Sequence, residues 1–460
     1  MYIQQIYTSC LAEAAYYIES NGEAAIIDPL RETSPYIDLA EKRGAQIKYV
    51  FETHFHADFV SGHIDLAAKT GASIVYGPGA VSEFKMYVAE DNEVFQLGKI
   101  SLKLLHTPGH TLESSCILLL DESGNPHAIF TGDTLFVGDV GRPDLAVKSD
   151  LTKEDLAGML YDSLKNKIMI LPDDLILYPG HGAGSACGKN IGKETSSTLG
   201  IQKQSNYALC CSTKEEFVNK LISGLEEPPK YFFIDAAINK KGYRNIDEVM
   251  SKNAIALRVE QVADKIDKGS IILDSRMPEI FEKGFIPGSI NIGLQGQYAV
   301  WVGSLIDYGK PIIVIADPGK EEEAILRLAR VGYEHVFGYL DGGFDAWIHA
   351  GKKIEVVDSI EPEVFAEELG LDNPTVIDVR NPGEWLSGHI DGAELIPLSK
   401  LEQSLKKLNP EHKYLIHCAG GYRSMMASSI MKKHGFNHIK NVHGGINKIK
   451  EAGYLLVIPN

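Results

Sequence analysis

The sequence has few cysteines, few basic residues and no long apolar run. Its six cysteines in 460 residues form neither a disulfide framework nor a CxxC zinc pattern, which favours a reducing, cytoplasmic location. The longest apolar stretches, such as Cys116 to Leu120, are strand-sized, whereas a membrane span needs roughly 18 residues. Arg31 is the first basic side chain, so we expect no secretory signal. The chain is therefore neither a disulfide-stapled nor a membrane-spanning type.

The shortage of basic residues also restricts the partners of the protein. Acidic side chains outnumber basic ones by 62 to 45, for a net charge of −17. A surface that neutralises many phosphates is not expected, so nucleic acid and acidic membranes are poor partners. The hydrophobic share of 44% and the charged share of 23% are those of a globular protein. At about 150 residues per domain, the length predicts about three domains.

A duplication organises the second half of the sequence. Residues 274–288 resemble residues 378–392, because Asp, Arg, Pro, Gly, Ile and Gly recur in the same order and spacing. Both copies alternate short apolar runs with helical patterns, such as 321–331 and 424–434. Continuous apolar strands between helices indicate a buried, mostly parallel sheet. We predict two α/β domains, at 252–353 and 356–460.

Residues 1–245 form a third predicted domain, in which metal-binding residue types follow strand-like runs. In the motif Thr53–Asp58, residues two apart point the same way if the segment is extended, so His54, His56 and Asp58 converge. Further candidates stand beside glycines that suit a tight turn; they are His110, Asp133 and His181. Imidazole and carboxylate together suit zinc, iron or manganese.

This constellation resembles the metallo-β-lactamase superfamily, and the resemblance implies an αββα sandwich of mixed α/β and α+β character. Dinuclear hydrolases of the superfamily, such as glyoxalase II, carry His directly after the motif Asp, where this chain has Phe59. Since phenylalanine cannot bind a metal, the resemblance implies a second metal site that has lost a ligand and is empty. Water activation between two metals is therefore not expected.

The segments 132–137 and 141–144 resemble the persulfide dioxygenases of the same superfamily. The resemblance implies one Fe(II) per chain, held by His54, His110 and Asp133, which is a two-histidine, one-carboxylate facial triad with open positions.

Other residues of this domain have predicted roles around the metal. The same resemblance implies that His56, Asp58 and His181 orient ligands, waters or O₂. Arg142 is a candidate for binding an anionic substrate through its planar donor fork, with a surface salt bridge as the alternative. A zinc site with three histidine ligands is the structural alternative to iron, and its ligands would be His54, His56 and His110.

The last domain contains a glycine-rich cysteine loop, His417 to Ser424, between a strand-like run and a helical pattern. Such a loop directs backbone N–H groups at an anion and favours the thiolate of Cys418, a nucleophile. Four residues separate Cys418 from Arg423, one fewer than a phosphatase loop of this type has.

This loop resembles that of the rhodanese sulfurtransferases, whose cysteine carries a persulfide. The motifs at 378–380, 388–390 and 443–445 also match that family. The resemblance implies that Cys418 is catalytic. It also implies substrate binding by four other residues of the loop, which are Gly420, Gly421, Tyr422 and Arg423.

The first rhodanese-like copy lacks this chemistry. Alignment of the two copies places Ala316 opposite Cys418 and Glu321 opposite Arg423. We therefore predict that residues 252–353 have no transferase activity and act as a scaffold or an interface. Elsewhere, three cysteines are either relay or redox thiols near the metal or ordinary buried thiols; these are Cys187, Cys210 and Cys211.

Together the resemblances imply an enzyme of sulfide detoxification. A low-molecular-weight persulfide and O₂ would give sulfite and thiol at Fe(II), and Cys418 would carry sulfane sulfur to sulfite, giving thiosulfate, or in reverse. The alternative is a mononuclear zinc thioester hydrolase of the glyoxalase II type, and a third possibility is a sulfur-responsive binding protein. A homo-oligomer is implied, whereas the thiol carrier and the direction of transfer follow from no motif.

Overall fold

The computed structural model describes residues 1–147, 150–371 and 373–458. These residues divide into two compact units. Unit 1 comprises Met1–Val249 with Ala329–Gly332, and unit 2 comprises Met250–Leu328 with the chain from Tyr333 onward. The division lies close to the boundary predicted at residue 245. Both copies of the duplicated domain fall within unit 2, apart from Ala329–Gly332 of the first copy.

Two sheets form the centre of unit 1. Their strands are β1 (Tyr2–Thr8), β2 (Glu13–Ser20), β3 (Glu23–Ile27), β4 (Gln46–Phe51), β5 (Ser73–Tyr76), β6 (Tyr87–Val88), β7 (Val94–Leu97), β8 (Ile100–His106), β9 (Ser115–Leu120), β10 (Pro126–Gly132), β11 (Ile176–Pro179) and β12 (Ser197–Thr198). The first sheet has the order β1-β2-β3-β4-β5-β6 and the second β12-β11-β10-β9-β8-β7.

Helices lie between and after these strands in the chain. They are α1 (Ser34–Arg43), α2 (His63–Thr70), α3 (Lys153–Ser163) with a following π-helical turn (Leu164–Ile168), α4 (Leu199–Ser205), α5 (Lys214–Ile222), α6 (Tyr231–Lys241) and α7 (Ile246–Asn253). Side chains of α1 and α2 pack on the first sheet, and those of α3 to α5 pack on the second.

The alternating side chains of β2 show how the sheets and helices pack against each other. Tyr16 and Ile18 point into the core between the sheets, where they meet Phe130 of β10. Tyr17, one residue out of phase, packs with Tyr36 of α1 on the opposite face. A strand buried on both faces reads as a continuous apolar run rather than as an alternating one. The predicted αββα sandwich is confirmed.

Unit 2 contains two sheets with the same topology. Their strands are β13 (Ala256–Leu257), β14 (Ile271–Asp274), β15 (Ile290–Asn291), β16 (Ile312–Ile315), β17 (Val336–Leu340), β18 (Asp358–Ile360), β19 (Thr375–Asp378), β20 (Glu394–Leu395), β21 (Tyr414–His417) and β22 (Ile439–Val442). The orders are β13-β17-β16-β14-β15 and β18-β22-β21-β19-β20, and every pairing is parallel. The predicted pair of parallel α/β domains is confirmed.

Short helices connect these strands. They are α8 (Val259–Asp267), α9 (Pro278–Phe281), α10 (Tyr298–Leu305), α11 (Glu321–Ala329), α12 (Gly343–His349), α13 (Phe365–Gly370), α14 (Pro382–Leu386), α15 (Leu401–Ser404), α16 (Tyr422–Lys433) and α17 (Gly445–Glu451), with 3-10 turns at Pro362–Val364, Leu398–Lys400 and Leu405–Lys407. The helices predicted at 321–331 and 424–434 correspond to α11 and α16. Within the described residues, no helix has the length and apolarity needed to cross a bilayer.

Candidate functional site

The candidate metal ligands of unit 1 follow strands that end at one edge of the two sheets. β9 is antiparallel to both β8 and β10, and β10 is parallel to β11, so the carboxyl ends of β8, β10 and β11 lie together. These ends lead to His110, Asp133 and His181. The end of β4 is joined to the same edge, because the Ser115 N–H donates to the carbonyl oxygen of Thr53 at 2.8 Å.

Three of the predicted ligands converge on one point. The ligand atoms of His54, His110 and Asp133 lie within 4.8 Å of one another. Asp133 Oδ2 is 3.4 Å from His110 Nε2 and 3.9 Å from His54 Nε2. All three side chains are buried, and these atoms have no hydrogen-bond partner. Because unpartnered buried polar atoms are costly, this cluster fits one divalent metal ion.

The histidines of the cluster have the tautomer and charge that metal binding requires. His110 Nδ1 lies 2.8 Å from the Arg142 carbonyl oxygen, so Nδ1 carries the proton and Nε2 keeps its lone pair. Burial, and then repulsion from neighbouring imidazoles, lowers the pKa of His54 well below its usual value. Burial also lowers the pKa of His110. Both rings are therefore neutral, the form that binds metals.

A glycine permits the turn that positions Asp133. Gly132 has φ +47°, and a Cβ atom there would lie 2.4 Å from Thr53 Oγ1. A larger residue would meet both strain at positive φ and a steric clash. The close contact and the positive φ explain why glycine precedes Asp133 at the end of this strand.

His56 lies beside the cluster but faces two carboxylates. Its Nε2 is 3.1 Å from Asp28 Oδ1 and 3.4 Å from Glu52 Oε2. Burial opposes a charge on this ring, yet Asp28 and Glu52 hold the pKa of His56 well above its usual value. The buried ring of Phe59 lies against His56 with centroids 4.4 Å apart. Among the described residues, the three histidines of the alternative zinc site do not form a common ligand cluster.

Asp58 and His181 lie next to the triad. His181 Nε2 is 3.4 Å from Asp58 Oδ2 and 3.5 Å from Asp133 Oδ1. Cys187 lies within 4.8 Å of the ligand atoms of His181 and Asp133. Burial, followed by the charges of Asp58 and Asp133, raises the pKa of this thiol well above its usual value. The roles predicted for Asp58 and His181 stay predictions.

The other two cysteines that the sequence left open lie elsewhere. Cys211 is buried in the apolar core between the second sheet and its helices, which agrees with an ordinary buried thiol. Cys210 is exposed. Of these three thiols, Cys187 is the one placed beside the metal ligands.

Several residues that hold the motif were missed by the sequence analysis. Asn239 of α6 donates to the carbonyl oxygens of His56 and Phe59, both at 2.8 Å, and accepts from the Ser61 N–H at 3.0 Å. Asp28 accepts from the backbone and hydroxyl of Thr53 at 2.7 and 2.8 Å. Asp28 follows a strand, as Asp133 does, so its place in the sequence could have marked it as a candidate site residue. Asn239, a single asparagine within a helix, gives no such sign.

Arg142 has a different environment from the one predicted. Its Nε and Nη2 contact the Asp144 carboxylate at 2.7 and 2.8 Å. Nη1 donates to the Ala186 carbonyl oxygen at 3.0 Å and Nη2 to that of Glu226 at 2.6 Å. The salt bridge given as the alternative is therefore present, and it joins a buried guanidinium to a partly buried carboxylate. Substrate binding by this guanidinium stays a prediction that its engaged donors do not favour.

In unit 2, the Cys418 loop connects β21 to α16. Cys418 is buried, and the Gly421 N–H donates to its Sγ at 3.1 Å. Gly421 has φ +98°, a conformation that glycine adopts without strain and that turns this N–H toward the sulfur. The Ile446 N–H holds the Cys418 carbonyl at 2.7 Å. The loop thus directs a backbone donor at the sulfur.

The two larger side chains of the loop are already paired. Arg423 forms a bidentate contact with Glu384 at 2.6 and 2.7 Å. The Tyr422 hydroxyl donates to the Gly293 carbonyl oxygen of the first copy at 2.6 Å. The prediction that Tyr422 binds substrate is therefore not supported at its hydroxyl, which joins the two copies instead.

Comparisons with known proteins agree with this division. Residues 9–181 match the model of the metallo-beta-lactamase superfamily, and residues 258–350 and 361–452 match that of the rhodanese-like domain. The chain therefore belongs to the metallo-β-lactamase superfamily and carries two rhodanese-like domains.

Individual relatives come from two enzyme types. The human protein "Persulfide dioxygenase ETHE1, mitochondrial" is 31% identical over 220 residues, which cover 47% of this chain and 77% of that protein. "Probable hydroxyacylglutathione hydrolase glo2" of Schizosaccharomyces pombe is 34% identical over 160 residues, 34% of this chain and 58% of its own. The chain thus spans less than two thirds of the length of some curated relatives that it matches.

A solved structure covers more of the molecule. The metallo-beta-lactamase from Staphylococcus aureus subsp. aureus COL superimposes with a TM-score of 0.67 at 34% sequence identity. The superposition covers 74% of this chain and 98% of that one.

Proposed function

We propose that unit 1 oxidises low-molecular-weight persulfides with O₂ and water to sulfite and thiol, and that Cys418 carries sulfane sulfur from a persulfide to sulfite, which gives thiosulfate, or from thiosulfate in the reverse direction. The observation that carries the proposal is the cluster of His54, His110 and Asp133, which has the composition of an iron(II) facial triad. Phe59 stands where a dinuclear hydrolase needs a histidine. The similarity to the human persulfide dioxygenase supports the same assignment.

Residues of the chain orient and enclose this cluster. Bound iron(II) would supply the redox chemistry with O₂. The Arg142 carbonyl holds the His110 ring, and the Thr53 hydroxyl, 3.0 Å from His54 Nδ1, holds the His54 ring. Burial of both rings excludes bulk water, which protects a reactive sulfur species from side reactions.

The second half of the proposal concerns Cys418. Its thiolate attacks the outer sulfur of thiosulfate, a new S–S bond forms as the old one breaks, and sulfite leaves. The reverse reaction transfers the sulfur from the Cys418 persulfide to sulfite. The Gly421 N–H, 3.1 Å from Sγ, stabilises the charged sulfur. Because both activities are on one chain, the effective concentration of a shared intermediate is raised.

The test is O₂ uptake by the Fe(II)-loaded protein given glutathione persulfide or coenzyme A persulfide. Uptake that disappears in His110→Ala and persists in Cys418→Ser supports the proposal and assigns the reaction to unit 1. No uptake with either persulfide, from protein shown to contain iron, contradicts it.

The alternative is a mononuclear zinc thioester hydrolase, which the hydroxyacylglutathione hydrolase relatives favour. It requires hydrolysis of S-lactoylglutathione by the zinc-loaded protein without O₂. One experiment distinguishes the two functions, because only the dioxygenase consumes O₂ and only the hydrolase acts anaerobically.

A further inference from the structure

One face of helix α16, which follows the Cys418 loop, lies on the Cys-less copy. The helix begins at Tyr422, directly after the loop glycine whose N–H donates to Cys418 Sγ. Tyr422, Met425 and Ser429 are spaced at i, i+3 and i+7, so they share one face of the helix. Each of these three residues contacts the first copy. The first copy therefore packs along the helix that begins at the reacting loop.

The Tyr422 end of this face adjoins the loop. The Tyr422 hydroxyl donates to the Gly293 carbonyl oxygen at 2.6 Å. Burial raises the pKa of Tyr422, so the hydroxyl keeps the proton that it donates. The ring lies against Gly296, where a Cβ atom would be 2.4 Å from Tyr422 Cζ, and any side chain at that position would displace the ring. A short segment of the first copy thus holds both the hydroxyl and the ring.

The other two positions extend the contact along the helix. The buried Met425 side chain packs with Phe281 and Phe285 of the first copy. The Asn291 N–H donates to the buried Ser429 hydroxyl at 3.0 Å. A helix that is held at three points over two turns cannot slide or rotate without breaking these contacts.

The surface that the first copy presents is itself firmly held. The Asn291 side chain donates to the carbonyl oxygens of Asp274 and Arg276 at 3.0 and 2.8 Å, and these two residues form the buried ion pair of that copy. Arg327 Nη1 donates to the Leu294 carbonyl oxygen at 2.6 Å. The contact segment is thus connected to the sheet and to α11 of a domain that lacks the cysteine.

The position of Tyr422 matters for the sulfur because the loop before it is flexible. The Gly421 N–H is 3.1 Å from Cys418 Sγ, and such a bond weakens steeply when the donor moves away or loses its alignment. Gly421 has φ +98°, and glycine is the residue with the widest choice of backbone conformations. An anchor on the next residue supplies the restraint that glycine lacks.

We propose that Tyr422 is a positioning residue for Cys418 and that the Cys-less copy holds it in place. Its anchor at Gly293 and Gly296 keeps the Gly421 N–H directed at the sulfur. This inference deepens the proposed sulfur transfer through Cys418 and rests on it. It also gives the first copy a role in the reaction, because that copy orders a reactive loop that it does not contain.

The test uses the full chain and one variant on each side of the contact. Tyr422→Phe removes the donor and keeps the ring, whereas Gly296→Ala displaces the ring from the side of the first copy. Tyr333→Phe is the matched control. The Tyr333 hydroxyl donates to the Ile306 carbonyl oxygen at 2.7 Å, a bond within the first copy that involves no residue of the loop. The loss of a similar hydrogen bond is thus compared at two places.

Two quantities are measured for each protein. The first is the rate at which iodoacetamide alkylates Cys418 as a function of pH, followed by mass spectrometry of the Cys418 peptide. The second is the rate constant for sulfite release from thiosulfate in a single turnover. In Tyr422→Phe we expect the midpoint of the alkylation profile to move to higher pH, and sulfite release to slow about fivefold, the factor typical of one lost hydrogen bond.

Gly296→Ala should change both quantities in the same direction, and Tyr333→Phe should change neither. Where Gly296→Ala fails to fold, Tyr422→Phe still decides the question, because it keeps the ring in its place. A merely structural role for Tyr422 gives another pattern. Tyr422→Phe and Tyr333→Phe would then lower the free energy of unfolding by similar amounts and leave the alkylation profile and sulfite release unchanged, and that result overturns the inference.

Failure of the proposed transferase is recognised separately. Wild-type protein that releases no sulfite from thiosulfate and carries no persulfide on Cys418 contradicts the sulfur transfer itself. The alkylation profile still decides whether Tyr422 positions the loop, because alkylation requires only the thiol and no sulfur donor.

Discussion

The two rhodanese-like copies share a scaffold but differ in chemistry. In the first, Arg276 binds Asp274 at 2.6 Å and the Gly284 carbonyl oxygen at 2.9 Å. In the second, Arg380 binds Asp378 and Gly388 at the same two distances. These four charged side chains are buried. The ion pair thus serves the sheet and the turn beside it, whether or not the copy has a reactive cysteine.

The difference in candidate reactive residues lies in the loops that follow β16 and β21. β16 is followed by Ala316 and β21 by Cys418. Glu321, which begins α11, stands where the second copy has Arg423. A domain without the nucleophile can therefore retain its fold, because the ion pair that holds the sheet and turn is separate from the cysteine loop.

The largest expected effect comes from moving the nucleophile between the copies. Cys418→Ser should abolish sulfur transfer, and Ala316→Cys in that background should not restore it, because Glu321 repels an anionic sulfur. The measurement is sulfite release from thiosulfate together with mass spectrometry of the protein persulfide. Transfer by the Ala316→Cys protein would show that the loops of the two copies are equivalent after all.

Breaking the shared ion pair should affect both copies alike. Asp274→Asn and Asp378→Asn each leave a buried arginine with its charge uncompensated, which costs about 3–5 kcal/mol. Hydrogen exchange followed by mass spectrometry reports the loss of protection for each sheet separately. A large effect in one copy and none in the other would contradict a common structural role.

A smaller effect is expected from replacing Arg423, the arginine that is paired with Glu384. Arg423→Gln should lower kcat/KM for sulfur transfer about tenfold, near 1.4 kcal/mol, because its charge lies close to the Cys418 sulfur. Glu321→Gln, the matched change in the first copy, should leave transfer within twofold of wild type. Equal losses in both variants would indicate a general effect on folding.

The smallest expected effect is a pH dependence of the free energy of unfolding, which arises from His443 of the second copy. Although burial opposes it, hydrogen bonds to Glu282 and Glu361 raise the pKa of His443 above its usual value. A raised pKa in the folded state means that the stabilisation is complete below about pH 6.5 and is lost as pH rises through the folded-state pKa. The free energy of unfolding of wild type minus that of His443→Gln should therefore shrink between pH 6 and pH 8.5.

The size of that effect is limited by exposure. The His443 side chain is 32% exposed, and ion pairs near the surface contribute about 0–1 kcal/mol. A difference that is constant with pH, or that grows toward pH 8.5, would exclude a charged His443 as the cause. Denaturant titration of both proteins at the two pH values gives the answer.

Local patterns in the sequence were sufficient for the frame of the molecule and for the candidate histidines and aspartates that the fold brings together. The choice of His54, His110 and Asp133 as the metal ligands came from the family resemblance and stays a prediction. The local patterns depend on neighbours within a few residues, so they are visible in the sequence itself. They include apolar runs of strand length, glycines at strand ends and the duplicated Asp-Arg motif. Phe59 and Ala316 were informative for the same reason, since each interrupts a motif at a known position.

Only the tertiary structure decided which side chains pair across long distances. Asn239 reaches the backbone of His56, Arg142 is occupied by Asp144 and by two carbonyl groups, and Glu282 lies beside the loop of the other copy. These contacts join segments far apart in the chain, and their partners depend on how sheets and copies pack. Spacing along the sequence determines which residues share a strand or a turn, whereas packing determines what their side chains meet.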